Sequence, residues 1–316
     1  MSYNSKLSFQ KNRNPFSNSD IEDALRNINP NNFSSCPFCD GKNIIRNGKT
    51  RLKRQRYICK NCGKSFSEMT GSPFMYSKKS LGTWVKYIFC MTEKLTLRET
   101  AGILKVNLTT SFLWRHKILS VAGTTLKDSS LLDTIEIHEL KVTENFKGNH
   151  RKRPAPLINN RDFVIVLSCM DTGENKLFKA SAKNRVGRLD RADLDKALAP
   201  LITGGKIIAT PRNNTYVNFA KTNNLTLCMV GSYSYSIKGI NAKKAENQSR
   251  SFKKFLFEFS GVASKYISYY INLFKLQIED EKNKAMNLVN KFSSGKRQLR
   301  VFEFDKVQFD GSLTNL

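Results

Sequence analysis

Acidic residues are scarce in this chain. Its 316 residues include 26 Asp and Glu against 53 Lys and Arg, a net charge of +27. That imbalance favours polyanionic partners, because Lys and Arg on phosphates release condensed counterions. Long apolar runs are also lacking: none approaches the roughly eighteen residues of a membrane span, and no basic amphipathic helix stands apart from the expected folded modules. No membrane partner is therefore expected. The first residues lack the apolar core of a secretory signal. An odd count of seven cysteines leaves Cys90, Cys169 and Cys228 in apolar contexts as buried thiols. There is no internal repeat. The reading that survives these absences is a cytoplasmic protein, nucleoid-associated in a bacterial host, with double-stranded DNA as its partner. A homodimer stays open as its assembly.

Against this background four cysteines stand out. Cys36 and Cys39 precede Cys59 and Cys62 as two CxxC pairs with nineteen residues between them. Each pair forms a tight knuckle that aims two sulfurs at one point, and Gly63 lets the chain leave its knuckle under positive φ. The spacing predicts a structural zinc ribbon over 31–75, two disulfides being the other pairing it admits. Residues 41 to 60 hold eight Lys or Arg and no acid. Lys53, Arg54 and Arg56 are accordingly expected on phosphates.

Before the ribbon, residues 1–30 read as a flexible arm, rich in Asn and Ser, with one short helix over Ile21 to Ile28. After it, 76–127 turns helical. Leu81, Trp84, Val85, Ile88 and Phe89 recur at helical spacing; Leu97, Ala101 and Leu104 repeat the pattern, and Phe112, Trp114, Ile118 and Leu119 form a third set. Three short helices predict a helix-turn-helix, with Asn107 to Ser111 as the turn and N-cap of the recognition helix. Its polar residues Thr109, Thr110, Arg115, His116 and Lys117 are the candidate DNA contacts. A plain three-helix bundle remains the other reading, and Trp114 is expected in the core.

Strands alternate with helices across 128–285. Strands are expected at Asp133 to Leu140, Asp162 to Met170 and Lys176 to Ala180, the last two joined by a turn at Asp171 to Glu174. A helix follows over Leu189 to Leu198, then a strand at Lys206 to Thr210, a helix over Asn214 to Thr222, a strand at Leu225 to Val230 and a long basic helix over Glu246 to Phe259. The order β-β-β-α-β-α-β-α makes the fold class α/β, with an RNase H-like domain. That architecture gathers catalytic carboxylates from the first strand, the end of the fourth strand and the late helix around two divalent cations. An exposed basic loop is expected at Lys147 to Arg153, running into Pro154 and Pro156. In the tail, 286–316, Val301, Phe302, Phe304 and Val307 are candidates for a strand.

Over roughly residues 21 to 280 the chain resembles DDE-type insertion-sequence transposases of the ISXO-like group. The resemblance rests on Cys36 to Cys39, Gln55-Arg56-Tyr57, Cys59 to Lys64, Phe112 to Leu119, Phe146 to His150 and Gly261 to Tyr266. It implies a zinc ribbon, a helix-turn-helix and an RNase H-like domain in an enzyme that binds element ends, cuts DNA and joins the 3′ ends to a target.

The residues at the implied catalytic places depart from that pattern. His138 takes the first Asp position in Glu136-Ile137-His138-Glu139. Pro211 takes the second in Ala209-Thr210-Pro211-Arg212, and only Glu246 keeps an acid at the third. Proline offers no side-chain ligand, and one carboxylate is too few for two hard cations, so Mg or Mn is not expected. Glu136 shares a strand face with His138 and is the one nearby compensating ligand, through which a single softer metal on Glu136, His138 and Glu246 is the alternative. The expectation is a transposase-derived DNA-binding protein without strand transfer, a pseudoenzyme acting as a regulator or architectural factor. An active or accessory transposase and a decaying remnant are the competing readings.

Overall fold

The computed structural model describes residues 15–28, 33–124, 126, 128–146, 160–230, 240–279, 282–295 and 300–314. The expected basic loop at 147–153, with Pro154 and Pro156, lies outside them. The chain divides into two units, one drawn from Met1–Thr125 and Glu279–Leu299, the other from Leu126–Ile278 and Arg300–Leu316.

In the first unit, helix α1 spans Asn18–Asn27. It starts ahead of the apolar repeat that begins at Ile21 because Ser17 and Asp20 form a capping box: the Asp20 amide donates to Ser17 Oγ, and the Ser17 amide donates to Asp20. Strands β1 (Ile44–Lys49), β2 (Gln55–Cys59) and β3 (Ser65–Ser67) form an antiparallel sheet in that order. A sheet this small has little core of its own. Phe66 is its centre, stacked on Tyr57 and meeting Phe33 edge-on, with ring centroids 5.6 and 5.2 Å away.

Helices α2 (Leu81–Thr92), α3 (Leu97–Leu104) and α4 (Leu108–Gly123) follow where the apolar spacing predicts them. Each begins at a side-chain cap: Ser80, Thr96 with Glu99, and Asn107, whose Oδ1 accepts the Thr109 amide at 2.8 Å. Lys105 ends α3 in the left-handed conformation and turns the chain toward α4. Trp84 of α2 stacks on Trp114 of α4 at 3.8 Å, so Trp114 is a core residue.

The second unit is a mixed α/β structure around five strands. They are β4 (Leu131–Thr143), β5 (Phe163–Asp171), β6 (Lys176–Asn184), β7 (Ile202–Pro211) and β8 (Thr226–Val230). Helices α5 (Arg191–Ala197) and α6 (Thr215–Thr222) flank β7 in sequence, and α7 (Lys243–Glu258) and α8 (Ile267–Glu279) follow β8. The sheet order is β6-β5-β4-β7-β8, antiparallel across β6, β5 and β4 and parallel from β4 to β8. β4 runs past the expected Asp133 to Leu140 at both ends because neighbours on each side satisfy its backbone groups.

Alternation along β4 divides its side chains. Ile135 and Ile137 face a core completed by Leu194, Tyr216 and Phe219 from α5 and α6. Glu136 and His138 face the opposite way, toward α7. On that face Phe178 of β6 meets Phe252 of α7 and Phe274 of α8, with centroids 4.8 and 5.6 Å away. The sheet is therefore covered on both faces, and its central strand carries polar side chains into a helix interface.

The segment expected as one tail separates. Helix α9 (Lys284–Ser294) belongs to the first unit, where Phe292 packs edge-on to Phe74 and stacks with Trp84. Gly295 follows it closely against α4: a Cβ there would lie 2.0 Å from Val121 Cγ1. Residues 300–314 join the second unit. The strand expected from Val301, Phe302, Phe304 and Val307 does not form. Val301–Glu303 is a 3-10 turn, and Val307 makes only an isolated bridge to Leu313. Val301 and Phe302 face solvent while Phe304 and Val307 are buried, a pattern that follows burial of single side chains rather than strand alternation.

Candidate functional site

Three places carry candidate chemistry. At the first, the knuckles of the small sheet bring Cys36, Cys39, Cys59 and Cys62 together, all four sulfurs within 4.8 Å of one another. Sγ of Cys36 and Cys62 are 3.7 Å apart, as are those of Cys39 and Cys59. All are free thiols. A tetrahedral zinc with bonds of about 2.3 Å separates its sulfurs by about 3.8 Å, so these four fit that ion and are too far apart for disulfides. The fit comes from local turns: Asp40 N donates to Cys36 O and Gly63 N to Cys59 O, each at 2.9 Å, and Gly63 has φ +70°.

Around the cysteines, Lys53 and Arg56 are exposed. Arg54 is not free in the same way: it is half-buried, and its Nη2 donates to the Lys79 carbonyl at 3.2 Å.

At the second place, the polar residues of α4 separate into two groups. Thr109 is exposed in the first turn, with Thr110 and Lys117 half-buried. Burial lowers the Lys117 ammonium from its ordinary pKa. Arg115 and His116, expected to reach DNA, are instead 1% and 3% exposed. Arg115 Nη2 donates to Leu95 O at 2.6 Å, and His116 Nδ1 lies 2.8 Å from Phe112 O with its ring against Phe112. Arg115 lies on the buried side of α4, where its guanidinium finds an acceptor in a loop carbonyl. Sequence polarity alone does not reveal that direction. The exposed polar residues of the α3–α4 turn include Lys105, Asn107 and Thr109, and Arg98 is exposed at the start of α3.

The third place lies where β4 and β5 meet α7, with the end of β7 beside β4. Parallel pairing sets Glu136 opposite Ala209, the last pair of β4 with β7, and Pro211 at the end of β7 pairs with Val230 of β8. His138 Nδ1 lies 2.8 Å from Ser249 Oγ on α7. Glu246 lies one turn before Ser249 and pairs with Arg250 in a close ion pair. The structure therefore brings together the first-strand and helix positions named from the sequence.

Their side chains are engaged with protein. Glu136 Oε2 accepts the Lys244 amide at 2.7 Å and the Ala245 amide at 3.4 Å. It caps α7 from outside the helix, whose own N-cap position, Ala242, has no side chain able to do so. This explains why α7 begins at Lys243 rather than at Glu246. Glu139, on the other face, accepts from Tyr216 Oη at 2.8 Å. Burial lowers the His138 pKa, Glu246 opposes that shift and Arg250 adds to it. A neutral imidazole on a serine, a carboxylate on an arginine and a carboxylate on a helix terminus form a closed polar interface.

The sequence reading missed Ser249, Arg250 and the buried pair formed by Ser168, whose hydroxyl lies 2.8 Å from Gln248 Oε1. Ser249 was open to detection, since i+3 spacing from Glu246 puts both on one helical face. Ser168 was not: it faces α7 through the pairing of β5 with β4, where it stands opposite His138.

No protein-family model matches the chain. The chain is similar to an uncharacterized protein in transposable element ISH50 of Halobacterium salinarum, 24% identical over 270 residues that span 81% of this chain and 88% of that one. Among solved structures, a pre-cleavage Mos1 transpososome aligns over 68% of this chain and 79% of that one, with a TM-score of 0.21 and 9% identity. Among the described residues no helix is long and apolar enough to cross a membrane.

Proposed function

We propose that this chain is a transposase-derived DNA-binding protein that has lost strand-transfer chemistry and acts as a regulator or architectural factor. Similarity to a protein of a transposable element, extending over most of both chains, supports the origin. The second unit is read as an RNase H-like domain on its β6-β5-β4-β7-β8 order, and the first as a zinc ribbon joined to a helix-turn-helix.

One observation carries the loss of chemistry: where β4 meets α7, Glu136, His138 and Glu246 each hold a protein partner, and Pro211 at the end of β7 has no side-chain ligand to offer. Two-metal phosphoryl transfer needs cations on both the attacking and the leaving oxygen. Binding them here would require Glu136 to leave the α7 terminus and Glu246 to leave Arg250, and would still return only two carboxylates. The net charge of +27 and the exposed cations Lys53, Arg56, Arg98 and Lys105 supply an electrostatic footprint for duplex DNA.

The test is genome-wide mapping of bound DNA, followed by binding and cleavage assays on the recovered sequences with Mg²⁺ or Mn²⁺. The expected result is salt-sensitive binding without nicking or joining. Metal-dependent cutting that disappears in Glu246→Gln would overturn the inactive reading, and absence of binding at low salt would overturn the DNA-binding one.

A further inference from the structure

Between the small sheet and α2 the chain presents an aromatic side chain in an unusual setting. Tyr76 is 86% exposed, and its backbone lies in the left-handed region at φ +62°. A bulky residue in that region is under strain, and an apolar ring in water forgoes burial; both features together call for a role.

The backbone on either side is held firmly. Met75 N donates to Ser72 O, and Ser77 N donates to the carbonyl of buried Phe74, each at 3.1 Å. Trp84 Nε1 donates to Ser77 Oγ at 2.8 Å, and Lys79 N donates to that same oxygen at 3.1 Å. Tyr76 therefore projects from a braced loop.

Its surroundings are basic. Lys78 and Lys79 are exposed beside it, and no Asp or Glu occurs between Glu68 and Glu93. The bond from Arg54 to the Lys79 carbonyl ties the β1–β2 turn to this loop, which brings exposed Arg51 and Lys53 to the same region. Cations able to neutralise phosphates thus lie on the braced loop that carries the outward-facing ring and on the turn bonded to it. Single-stranded nucleic acid is bound by this combination, in which cations follow the backbone and a ring stacks on a base. A fully paired duplex hides its base faces, so the ring suits a step where a base has left the stack.

Resting on the DNA-binding reading above, we propose that Tyr76 is a base-stacking residue that receives an unpaired or unstacked base of bound DNA while Arg51, Lys53, Lys78 and Lys79 hold the flanking phosphates.

The experiment compares binding of the full chain to a short duplex with one central unpaired thymine, replaced by 5-iodouracil for photocross-linking, and to the fully paired duplex. The wild type is expected to prefer the unpaired form by about ten-fold and to cross-link through Tyr76. Tyr76→Phe should keep the preference. Tyr76→Ala should lose it, as should Tyr76→Gly, which suits the positive φ and guards against misfolding. The salt slope should stay unchanged in all three, since no charge is removed. Equal binding of the two duplexes by wild type, or an undiminished preference in Tyr76→Ala, would overturn the stacking role and leave DNA binding intact. Failure of the wild type to bind either duplex would remove the DNA-binding reading and this inference with it.

Discussion

His138 Nδ1 and Ser249 Oγ stand 2.8 Å apart, joining the central strand β4 to helix α7. An Asp at position 138 would set a second carboxylate beside Glu246, and two such charges repel unless a cation lies between them. Neutral histidine removes that need. It keeps a hydrogen bond across the interface while Glu246 turns to Arg250, so protein groups join the strand to the helix at this point.

This geometry predicts a pH dependence. Burial, opposed by Glu246 and aided by Arg250, lowers the His138 pKa below its ordinary 6.5. Between the folded value and about 6.5 the unfolded chain therefore binds more protons than the folded one, and stability falls as pH falls through that window. The contribution is full above it. The denaturation midpoint should drop between about pH 7 and 5 and drop less in His138→Asn; parallel drops would show that His138 does not set the effect.

Capping of α7 by Glu136 gives a second expectation. Glu136→Ala leaves the Lys244 and Ala245 amides without their acceptor and should cost about 1 kcal/mol, within the range of helix-cap losses. Urea denaturation of the purified protein measures it. A change near zero would mean that water replaces the carboxylate.

Arg115 should behave as a core residue. Arg115→Ala removes a buried side chain and its bond to Leu95 O, at a cost of about 3 kcal/mol, while preference among DNA sites stays as in wild type. Thr109→Ala, at the exposed start of α4, should show the reverse: unchanged melting and altered site preference. The pair of measurements distinguishes structural from DNA-contacting positions.

The cysteine cluster should carry one zinc ion per chain, measured by elemental analysis. Cys59→Ser should release it and loosen the small sheet, whose few core residues cannot replace a metal-ligand contribution of about 10 kcal/mol or more. Soluble folded protein free of zinc would overturn this.

Phe292 tests how the chain end contributes. Phe292→Ala empties the space between Phe74 and Trp84 and should destabilise the first unit by about 3–5 kcal/mol. Deleting residues from 284 onward should do at least as much harm, whereas a dispensable tail would leave melting unchanged.

The sequence by itself determined those features whose signals are local. Paired cysteines bring their own turns, so two knuckles could be read without knowing the fold. Caps at Ser80, Thr96 and Asn107 sit next to the helices they begin, and alternation along β4 separates Ile135 and Ile137 from Glu136 and His138 through backbone geometry alone. Tertiary structure decided what those side chains touch. Polarity did not tell that Arg115 turns inward, that Glu136 caps a helix 108 positions away, or that Phe292 completes a core begun at Phe74. Each outcome depends on a partner distant in sequence, and a buried polar group takes whichever acceptor or donor the packed elements bring within reach, because leaving it unpaired costs more than any local preference supplies.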